Sequence, residues 1–278
     1  MSWIDGHLHL WDPERLDYPW LESVPALHRA FGPGQIDFGR HQISGAVFVE
    51  AGGRPDQNLA EVAWVETLAE SRPGLLGIVA HAQLEDPAGR DEMIASLAER
   101  PLVVGVRRNL QDEASGFALS DEFVNGVRTL ADHDLSFDVC VRRQQLPEVV
   151  DLVERVPEVT FVLDHLGKPP VASGDRAPWR DILHRLAAHP NIVCKLSGLT
   201  TEADHATWKE ADVLPYLRDA LALFGPERCL FASDWPVATL ATTYERWVDT
   251  VETAIADLTI AEQESVKAGT ARRVYRLS

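Results

Sequence analysis

A pair of histidines near the start of the chain has the spacing of a site that could hold a metal ion or contact a reactive oxygen. His7 and His9 lie in the run Ile-Asp-Gly-His-Leu-His-Leu. Because side chains alternate between the two faces of an extended strand, Asp5 and both histidines are predicted to share one face, with the imidazoles about 6–7 Å apart. The other face is predicted to be apolar and to pack against helices; it carries Ile4, Gly6, Leu8 and Leu10. A single His-x-His pair is also typical of a surface strand, so its interpretation depends on the rest of the chain.

The elements that would position these histidines recur in a regular order. Short runs rich in Val, Ile, Leu and Phe predict eight strands, and most are followed by an amphipathic pattern that predicts a helix. After the histidine strand, the predicted strands are 45–49, 75–80, 102–106, 136–141, 160–164, 192–196 and 229–232. This alternation over 278 residues is typical of an α/β fold, a closed (β/α)8 TIM barrel forming one domain over residues 1–278. A doubly wound open sheet is the alternative.

For two of the predicted helices, the sequence contains a signal that marks one end. One helix is predicted from Gln57 to Arg72, where Pro73-Gly74 would stop it. The last is predicted from Ile260 to Val274, and the preceding Thr-x-x-Glu has the pattern of a capping box.

The segment from about residue 12 to 40 has no sustained helical or strand period. A loop of this length is uncommon unless it covers a site or is disordered. Its aromatic residues favour packing over disorder, so we predict a lid; they are Tyr18, Trp20 and Phe31, with Trp11 just before it.

Polar side chains stand at the carboxyl ends of the predicted strands, where the active site of a (β/α)8 barrel lies. In chain order these are His7, His9, Glu50, His81, Arg107, Arg108, Asp138, His165, Lys195, Ser197 and Asp234. Burying an unpaired charge costs several kcal/mol, so these groups are expected to pair with one another, an ion or a substrate. His165 and Asp234 are the strongest candidates, because each follows an apolar strand without a turn or helix signal that explains it. His81 and Asp138 are weaker, and at least one of the two arginines is expected to cap a loop.

The composition argues against several classes of binding partner. With 26 Lys+Arg against 43 Asp+Glu the net charge is −17, which argues against binding to nucleic acid or to an anionic membrane. No Gly-x-Gly-x-x-Gly follows the first strand and no Gly-Lys-Ser/Thr occurs, so the phosphate-binding signatures are absent. No apolar run approaches the roughly 20 residues that span a bilayer. We therefore expect a soluble cytoplasmic protein that acts on a small molecule, with the oligomeric state, including a homo-oligomer, left open.

The cysteines fit the same expectation. Their odd number and the absence of Cys-x-x-Cys are typical of a reducing compartment. Each lies in a short apolar run and is predicted to be a buried filler: Cys140, Cys194 and Cys229.

Six stretches of the sequence together resemble one known family. They are Ile-Asp-Gly-His-Leu-His-Leu-Trp-Asp, Tyr-Pro-Trp-Leu, Gly-Val-Arg-Arg-Asn-Leu-Gln, Phe-Val-Leu-Asp-His-Leu-Gly-Lys-Pro, Lys-Leu-Ser-Gly-Leu and Phe-Ala-Ser-Asp-Trp-Pro-Val. In this order they resemble the lactonase branch of the amidohydrolase superfamily, the amidohydrolase-2 group. The resemblance implies a distorted (β/α)8 barrel and a hydrolase of carbohydrate catabolism that opens lactones of the fuconolactone, rhamnonolactone, pyrone-dicarboxylate or muconolactone type. It also implies that His7, His9, His165 and Asp234 are the core site residues.

Opening a lactone needs a base, a group that polarises the carbonyl, and a proton for the leaving oxygen. We predict that Asp234 is the base and then returns the proton. The histidines His7, His9 and His165 are predicted either to hold a zinc-like ion or to donate hydrogen bonds to the oxyanion. If a metal binds, Asp234 or Glu50 would complete its ligands.

The remaining predicted site residues would bind the substrate. Arg107 or Arg108, with Lys195, would contact a carboxylate or sugar hydroxyls. Trp20 is predicted to lie in the lid over the barrel mouth, and Trp235 follows the predicted base directly.

The sequence departs from the two-metal members of the superfamily. Those members bridge two ions through a carboxylated lysine on strand four or five, and the lysines here lie elsewhere, at Lys168, Lys195, Lys209 and Lys267. Strand five also ends without a histidine. These departures argue against two metals and leave one divalent ion, zinc above all, or none. The alternative function is a metal-dependent decarboxylase of an aromatic or unsaturated acid; a silent binding barrel is disfavoured, since it needs no base opposite three imidazoles.

Overall fold

Eight parallel strands form a barrel in the computed structural model, which describes residues 2–70 and 74–278. The strands are β1 Trp3–Leu8, β2 Ile43–Val49, β3 Leu75–His81, β4 Val103–Arg107, β5 Ser136–Val139, β6 Phe161–Leu163, β7 Ile192–Leu196 and β8 Cys229–Phe231. Each pairs with the next in chain order. The predicted (β/α)8 barrel is therefore confirmed.

The barrel closes between the first and last strands, just beyond the end of β8. Leu8 and Trp235 form a parallel bridge. The Asp234 amide donates to the carbonyl of His7 at 2.9 Å, and the His9 amide donates to the carbonyl of Trp235 at 2.7 Å. The closing hydrogen bonds are thus made by the same short segments that carry candidate site residues.

Helices follow the strands and cover the outside of the barrel. They are α1 Asn58–Glu66, α2 Arg90–Ala98, α3 Asp121–Thr129, α4 Leu146–Arg155, α5 Arg176–Ala187, α6 Glu210–Phe224, α7 Tyr244–Ile255, α8 Ile260–Glu264 and α9 Thr270–Val274. The predicted capping box is confirmed, because the Thr259 hydroxyl accepts from the Glu262 amide while the Glu262 carboxylate accepts from the Thr259 amide. None of the described helices is long and apolar enough to cross a membrane.

Two predicted helices differ from the observed ones. The helix expected to reach Arg72 ends as α1 at Glu66, and its predicted stop at 72–73 lies outside the described residues. The last predicted helix is divided by a π-helical turn, Ser265–Gly269, between α8 and α9. One extra residue in such a turn shifts the face that the following helix presents.

The barrel has an apolar interior that is closed near the amino ends of its strands by the C-terminus of the chain. The inner strand residues are Ile4, Val47, Val49, Val79, Val104, Val162, Val193 and Leu230. Val274, Tyr275 and Leu277 pack into the same cluster, and Tyr275 has no exposed surface. A second, larger apolar cluster lies outside, where it includes Leu8 and Phe48. The three cysteines are buried and free, as predicted.

An irregularity in β1 overturns one prediction about its faces. Asp5 pairs with Ala46 and Leu8 with Phe48, so three steps on β1 oppose two on β2. Asp5 points outward, where it accepts hydrogen bonds from the Ser233 hydroxyl at 2.5 Å and the Tyr244 hydroxyl at 3.0 Å. The predicted division of β1 into two faces is therefore wrong. Asp5 does not share a face with both histidines, and Ile4 lies inside the barrel while Leu8 lies outside it, because a bulge re-aims the residues that follow it.

The segment 12–40 consists of short turns rather than regular structure. It contains the 3₁₀ turns Pro19–Ser23, Pro25–Leu27 and Pro33–Gln35. Trp11 and Phe31 form an antiparallel bridge and pack edge to face. The Trp20 indole donates to the carbonyl of Ala51 at 2.8 Å. These contacts tie the segment to the carboxyl ends of β1 and β2.

Candidate active site

Three imidazoles and one carboxylate meet at the carboxyl end of the barrel. The Nε2 atoms of His7, His9 and His165 lie 3.8, 3.5 and 3.9 Å from Oδ1 of Asp234. The two Nε2 atoms of His7 and His9 are 3.0 Å apart. All four side chains are buried. The structure thus brings together the four residues that the sequence singles out as the core of the site.

The opposite nitrogen of each ring is held by a neighbouring group. Nδ1 of His9 donates to the carbonyl of Val49 at 2.8 Å, and Nδ1 of His165 lies 2.8 Å from the Ser197 hydroxyl. Nδ1 of His7 lies 3.2 Å from Oδ1 of Asp164 and 3.0 Å from Nζ of Lys195. Anchoring one ring nitrogen fixes the direction of the other, which is the usual arrangement for histidines that bind metals. The geometry therefore aims three Nε2 atoms at one point.

The backbone is strained at two of these residues. His165 and Asp234 both adopt left-handed backbone angles, with φ of 53° and 59°. Such angles are uncommon for residues other than glycine and cluster at functional sites. Gly198 has φ of 67°, and a Cβ there would lie 2.6 Å from the Cβ of His165, so only glycine lets the β7 loop approach this ring.

The imidazoles of His7 and His165 are held in their neutral form. Burial lowers the pKa of His165 to about 4. Burial, with the nearby Lys195 ammonium, also lowers the pKa of His7 well below 6.5. Burial opposes ionisation of Asp234, but its contacts with His165 and His9 outweigh that effect and lower its pKa below 3.8. The Asp234 carboxylate is thus ionised and able to accept a proton, and the neutral rings of His7 and His165 are free to act as ligands or hydrogen-bond donors.

A network of paired charges lies beneath the histidines. Arg107 donates to Glu50 Oε1 at 2.6 Å and to Asp164 Oδ2 at 3.2 Å. Lys195 lies 2.5 Å from Asp138 Oδ2 and 2.9 Å from Asp164 Oδ1. Because every member is buried, removing one partner would leave an unpaired buried charge and destabilise the folded protein. Asp164 is the member that sequence reasoning missed, although it directly precedes His165 at the end of β6.

The site opens into a cavity of about 370 Å³. Its lining combines the site residues with several that the sequence did not single out. The lining residues are His9, Trp20, Ala51, Gly52, Arg107, Asn109, Gln111, Cys140, His165, Lys168, Asp234 and Val237. The sequence pattern gave no reason to place three of these residues in the lining, because they lie in the loops after β4 and β6; they are Asn109, Gln111 and Lys168. The location of Trp20 here agrees with the predicted lid.

Four predicted roles do not fit the observed positions. Arg108 turns away from the cavity to Glu85 and Glu113, at 2.8 and 2.6 Å, so it is the arginine that ties down a loop. Lys195 has no exposed surface and cannot contact a substrate. Trp235 is buried against Phe31 at a centroid distance of 5.5 Å and is not part of the lining.

Glu50 is the fourth of these residues. Both of its oxygens are already engaged, one by Arg107 and the other by the Gly52 amide at 2.7 Å. It therefore holds the arginine rather than offering a metal ligand. His81, one of the weaker candidates, lies outside the cavity lining as well.

The donor set suits a single divalent cation. Atoms of His7, His9 and Asp234 lie within 4.8 Å of one another, and His165 joins His7 and Asp164 in an overlapping group. Because Nδ1 of His9 donates to a carbonyl, its Nε2 presents a lone pair to the site. Three imidazole nitrogens and one carboxylate oxygen are a usual set for zinc. The residues present therefore fit one ion.

Comparison with known proteins places this site in a family. The sequence model of the family described as amidohydrolase matches residues 4–277. The chain belongs to the amidohydrolase family. Within it, an L-fucono-1,5-lactonase of Burkholderia multivorans is 36% identical over 295 aligned positions, which cover 99% of this chain and 96% of that protein. The predicted family resemblance is confirmed.

Solved structures extend the comparison. A crystal structure of an amidohydrolase from Burkholderia multivorans with bound zinc is 34% identical, with a TM-score of 0.87 and full coverage of both chains. A 2,6-dihydroxybenzoate decarboxylase from Rhizobium has a TM-score of 0.63 over 99% of both chains, but it is only 15% identical. At that identity the likeness concerns the fold alone.

Proposed function

We propose that this amidohydrolase opens the ring of a lactone by adding water to its carbonyl. The observation that carries the proposal is the convergence of three imidazoles on the Asp234 carboxylate at the floor of the cavity. The similarity to an L-fucono-1,5-lactonase over almost the whole chain supports the same reaction.

Asp234 acts as the base. Its Oδ1 atom takes a proton from water while the water oxygen adds to the lactone carbonyl. The tetrahedral intermediate then collapses with cleavage of the bond between the carbonyl carbon and the ring oxygen, and Asp234 returns the proton to that oxygen. The product is a hydroxy acid, which releases a proton to solvent at neutral pH. The single carboxylate thus serves as base and then as acid.

His7 and His165 stabilise the charge that develops on the carbonyl oxygen by donating hydrogen bonds from Nε2, whereas His9 presents a lone pair. Their Nε2 atoms face the carboxylate that activates water, so an oxyanion formed there lies within their reach. His7, His9, His165 and Asp234 would hold a divalent ion, and the zinc in the related Burkholderia structure supports one in this site. Such an ion, when bound, supplies a Lewis acid for the carbonyl.

The charges of the cavity favour a neutral, hydroxylated lactone over a carboxylated one. Arg107 lines the cavity, but its Nε and Nη2 are bound to Glu50 and its Nη1 to Asp164. Among the described lining residues, Lys168 is the other cation, and it lies 3.8 Å from Glu202. The amides of Asn109 and Gln111 can exchange hydrogen bonds with hydroxyl groups. A sugar-acid lactone, and hence a step in carbohydrate catabolism, suits this lining better than a dicarboxylated ring.

Decarboxylation, the alternative expected from the sequence, has less support. The decarboxylase with this fold is too distant for its activity to bear on this chain. Lactone hydrolysis therefore remains the single function that we propose.

The proposal is tested with a panel of neutral sugar lactones and carboxylated lactones, followed with a pH indicator that reports acid release. Asp234→Asn should retain the fold, because asparagine tolerates the left-handed backbone, and should lower kcat by about 10²–10⁴-fold. Asp249→Asn is the matched control, since Asp249 pairs with His41 at 2.8 Å outside the cavity. Acid release with neither lactone class by the wild type, or unchanged kcat in folded Asp234→Asn, would contradict the proposal.

A further inference from the structure

The buried polar network connects the active site to the C-terminus of the chain. Tyr275 follows α9 and reaches into the barrel interior, where its hydroxyl donates to Asp138 Oδ2 at 2.7 Å. Lys195 lies 2.5 Å from the same oxygen and 3.0 Å from Nδ1 of His7. A continuous path of three hydrogen bonds therefore joins Tyr275, which lies outside the active site, to a histidine of the site.

Nδ1 of His7 faces two groups of opposite character. The Lys195 ammonium, at 3.0 Å, can only donate to it, whereas Asp164 Oδ1, at 3.2 Å, can only accept from it. The first contact requires the proton of His7 on Nε2, and the second requires it on Nδ1. A neutral ring carries its single proton on one nitrogen, so His7 can satisfy one of these contacts but not both.

A count of hydrogen bonds favours the contact with lysine. Lys195 has three N–H donors and three acceptors in reach, namely Asp138 Oδ2, Asp164 Oδ1 and His7 Nδ1. Satisfying all three leaves the His7 proton on Nε2, where it can donate to Nε2 of His9 at 3.0 Å. That nitrogen accepts, because the other nitrogen of His9 donates to a carbonyl. Arg107 also approaches Nε2 of His7, but at the longer distance of 3.5 Å.

We propose that Tyr275 is a positioning residue that, through Asp138 and Lys195, holds His7 with its proton on Nε2. The Tyr275 hydroxyl holds the Asp138 carboxylate in position, and that carboxylate holds the Lys195 ammonium. The ammonium donates to Nδ1 of His7 and so selects the tautomer of the ring. The kinetic consequence rests on the proposed lactone hydrolysis, whereas the tautomer does not.

The test compares Tyr275→Phe with the wild type, both free of metal. The phenylalanine ring keeps the packing inside the barrel and removes one hydroxyl. Protein labelled with ¹⁵N at histidine reports the tautomer of His7, assigned from the signal lost in His7→Gln. We expect the Nε2-protonated form in the wild type and a shift toward a mixture in Tyr275→Phe. With the best lactone, kcat should fall about 3–10-fold while KM stays within about twofold, because Tyr275 does not line the cavity.

Tyr216→Phe is the matched control, since it removes the hydroxyl that donates to the carbonyl of Pro170 at 3.2 Å, away from the network. It should change neither the His7 signal nor kcat. In Asp138→Asn, the further change Tyr275→Phe should have no additional effect on kcat. An Nδ1-protonated His7 in the wild type, an unchanged signal in Tyr275→Phe, or equal effects of both tyrosine variants would overturn the proposal. Absence of lactone hydrolysis by the wild type would instead contradict the proposed function and leave the NMR result to decide the tautomer.

Discussion

Glu61 is a buried carboxyl group whose ionisation should reduce stability as the pH rises. It lies on α1 with 5% of its surface exposed, and its Oε1 accepts from the Ala51 amide at 3.3 Å. Burial, with the nearby charge of Glu50, raises the pKa of Glu61 from 4.5 to about 8. Burial also opposes ionisation of Glu50, but Arg107 outweighs it and lowers the pKa of that group. The two carboxyl groups therefore differ in charge at neutral pH.

The size of the effect follows from the two pKa values of Glu61. Below pH 4.5 the group is protonated in both the folded and the unfolded chain, so it causes no pH dependence. Between 4.5 and about 8 only the unfolded chain releases the proton, and the free energy of unfolding falls by about 1.4 kcal/mol per pH unit. Over this window the loss amounts to about 5 kcal/mol. Above pH 8 the native group ionises as well, and the loss levels off.

The measurement is urea unfolding of the wild type and Glu61→Gln at pH 5, 6, 7 and 8. Glutamine keeps the acceptor for Ala51 without the titration, so the stability difference in favour of the variant should widen steadily with pH. Glu66→Gln, at a partly exposed position on the same helix, controls for the substitution itself. Parallel pH dependence in the wild type and Glu61→Gln would show that Glu61 is ionised in the folded protein and refute the reasoning from burial.

Three further substitutions separate binding, loop and network roles. Trp20→Ala should raise KM several-fold with little change in Tm, because Trp20 is half-buried at the cavity; a large drop in Tm with intact kinetics would make it a core residue. Arg108→Gln should leave kcat and KM within about twofold, measured on the best lactone, because its side chain turns away from the cavity. Lys195→Met should cost about 3–5 kcal/mol in urea unfolding, since it leaves Asp138 and Asp164 without their ammonium partner; a stable variant would refute that dependence.

The fold could be predicted because its signals are local. Each short apolar run between turn residues forms a strand, and the chain order of the strands is also their order in the barrel. His165 and Asp234 stand at the ends of such runs, so their location in the active site could be predicted in the same way. Periodicity could not reveal the bulge in β1, because the extra residue depends on pairing with β2. For that reason the predicted side of Asp5 was wrong while the convergence of the histidines was right.

The partners of each polar side chain were beyond prediction, because they come from distant parts of the chain. Arg107 and Arg108 are adjacent and alike in sequence, yet one pairs with buried Glu50 and Asp164 and the other with loop carboxylates. Lys195 was expected to contact the substrate, but three-dimensional proximity to buried carboxylates makes it part of the network instead. A strand-end position thus predicts that a residue faces the site, not what it binds there.

The arrangement of charge explains why one carboxylate can carry the proton chemistry. Beneath the histidines, Arg107 and Lys195 are paired with buried carboxylates, so these charges are compensated and their side chains are held in place. Three imidazoles lie around Oδ1 of Asp234, and this side chain faces the cavity. A guanidinium paired with Asp234 would occupy its oxygens with N–H donors, so fewer lone pairs would remain to accept a proton from water. The network thus keeps the cations one layer below Asp234, where they contact His7 without pairing with the base.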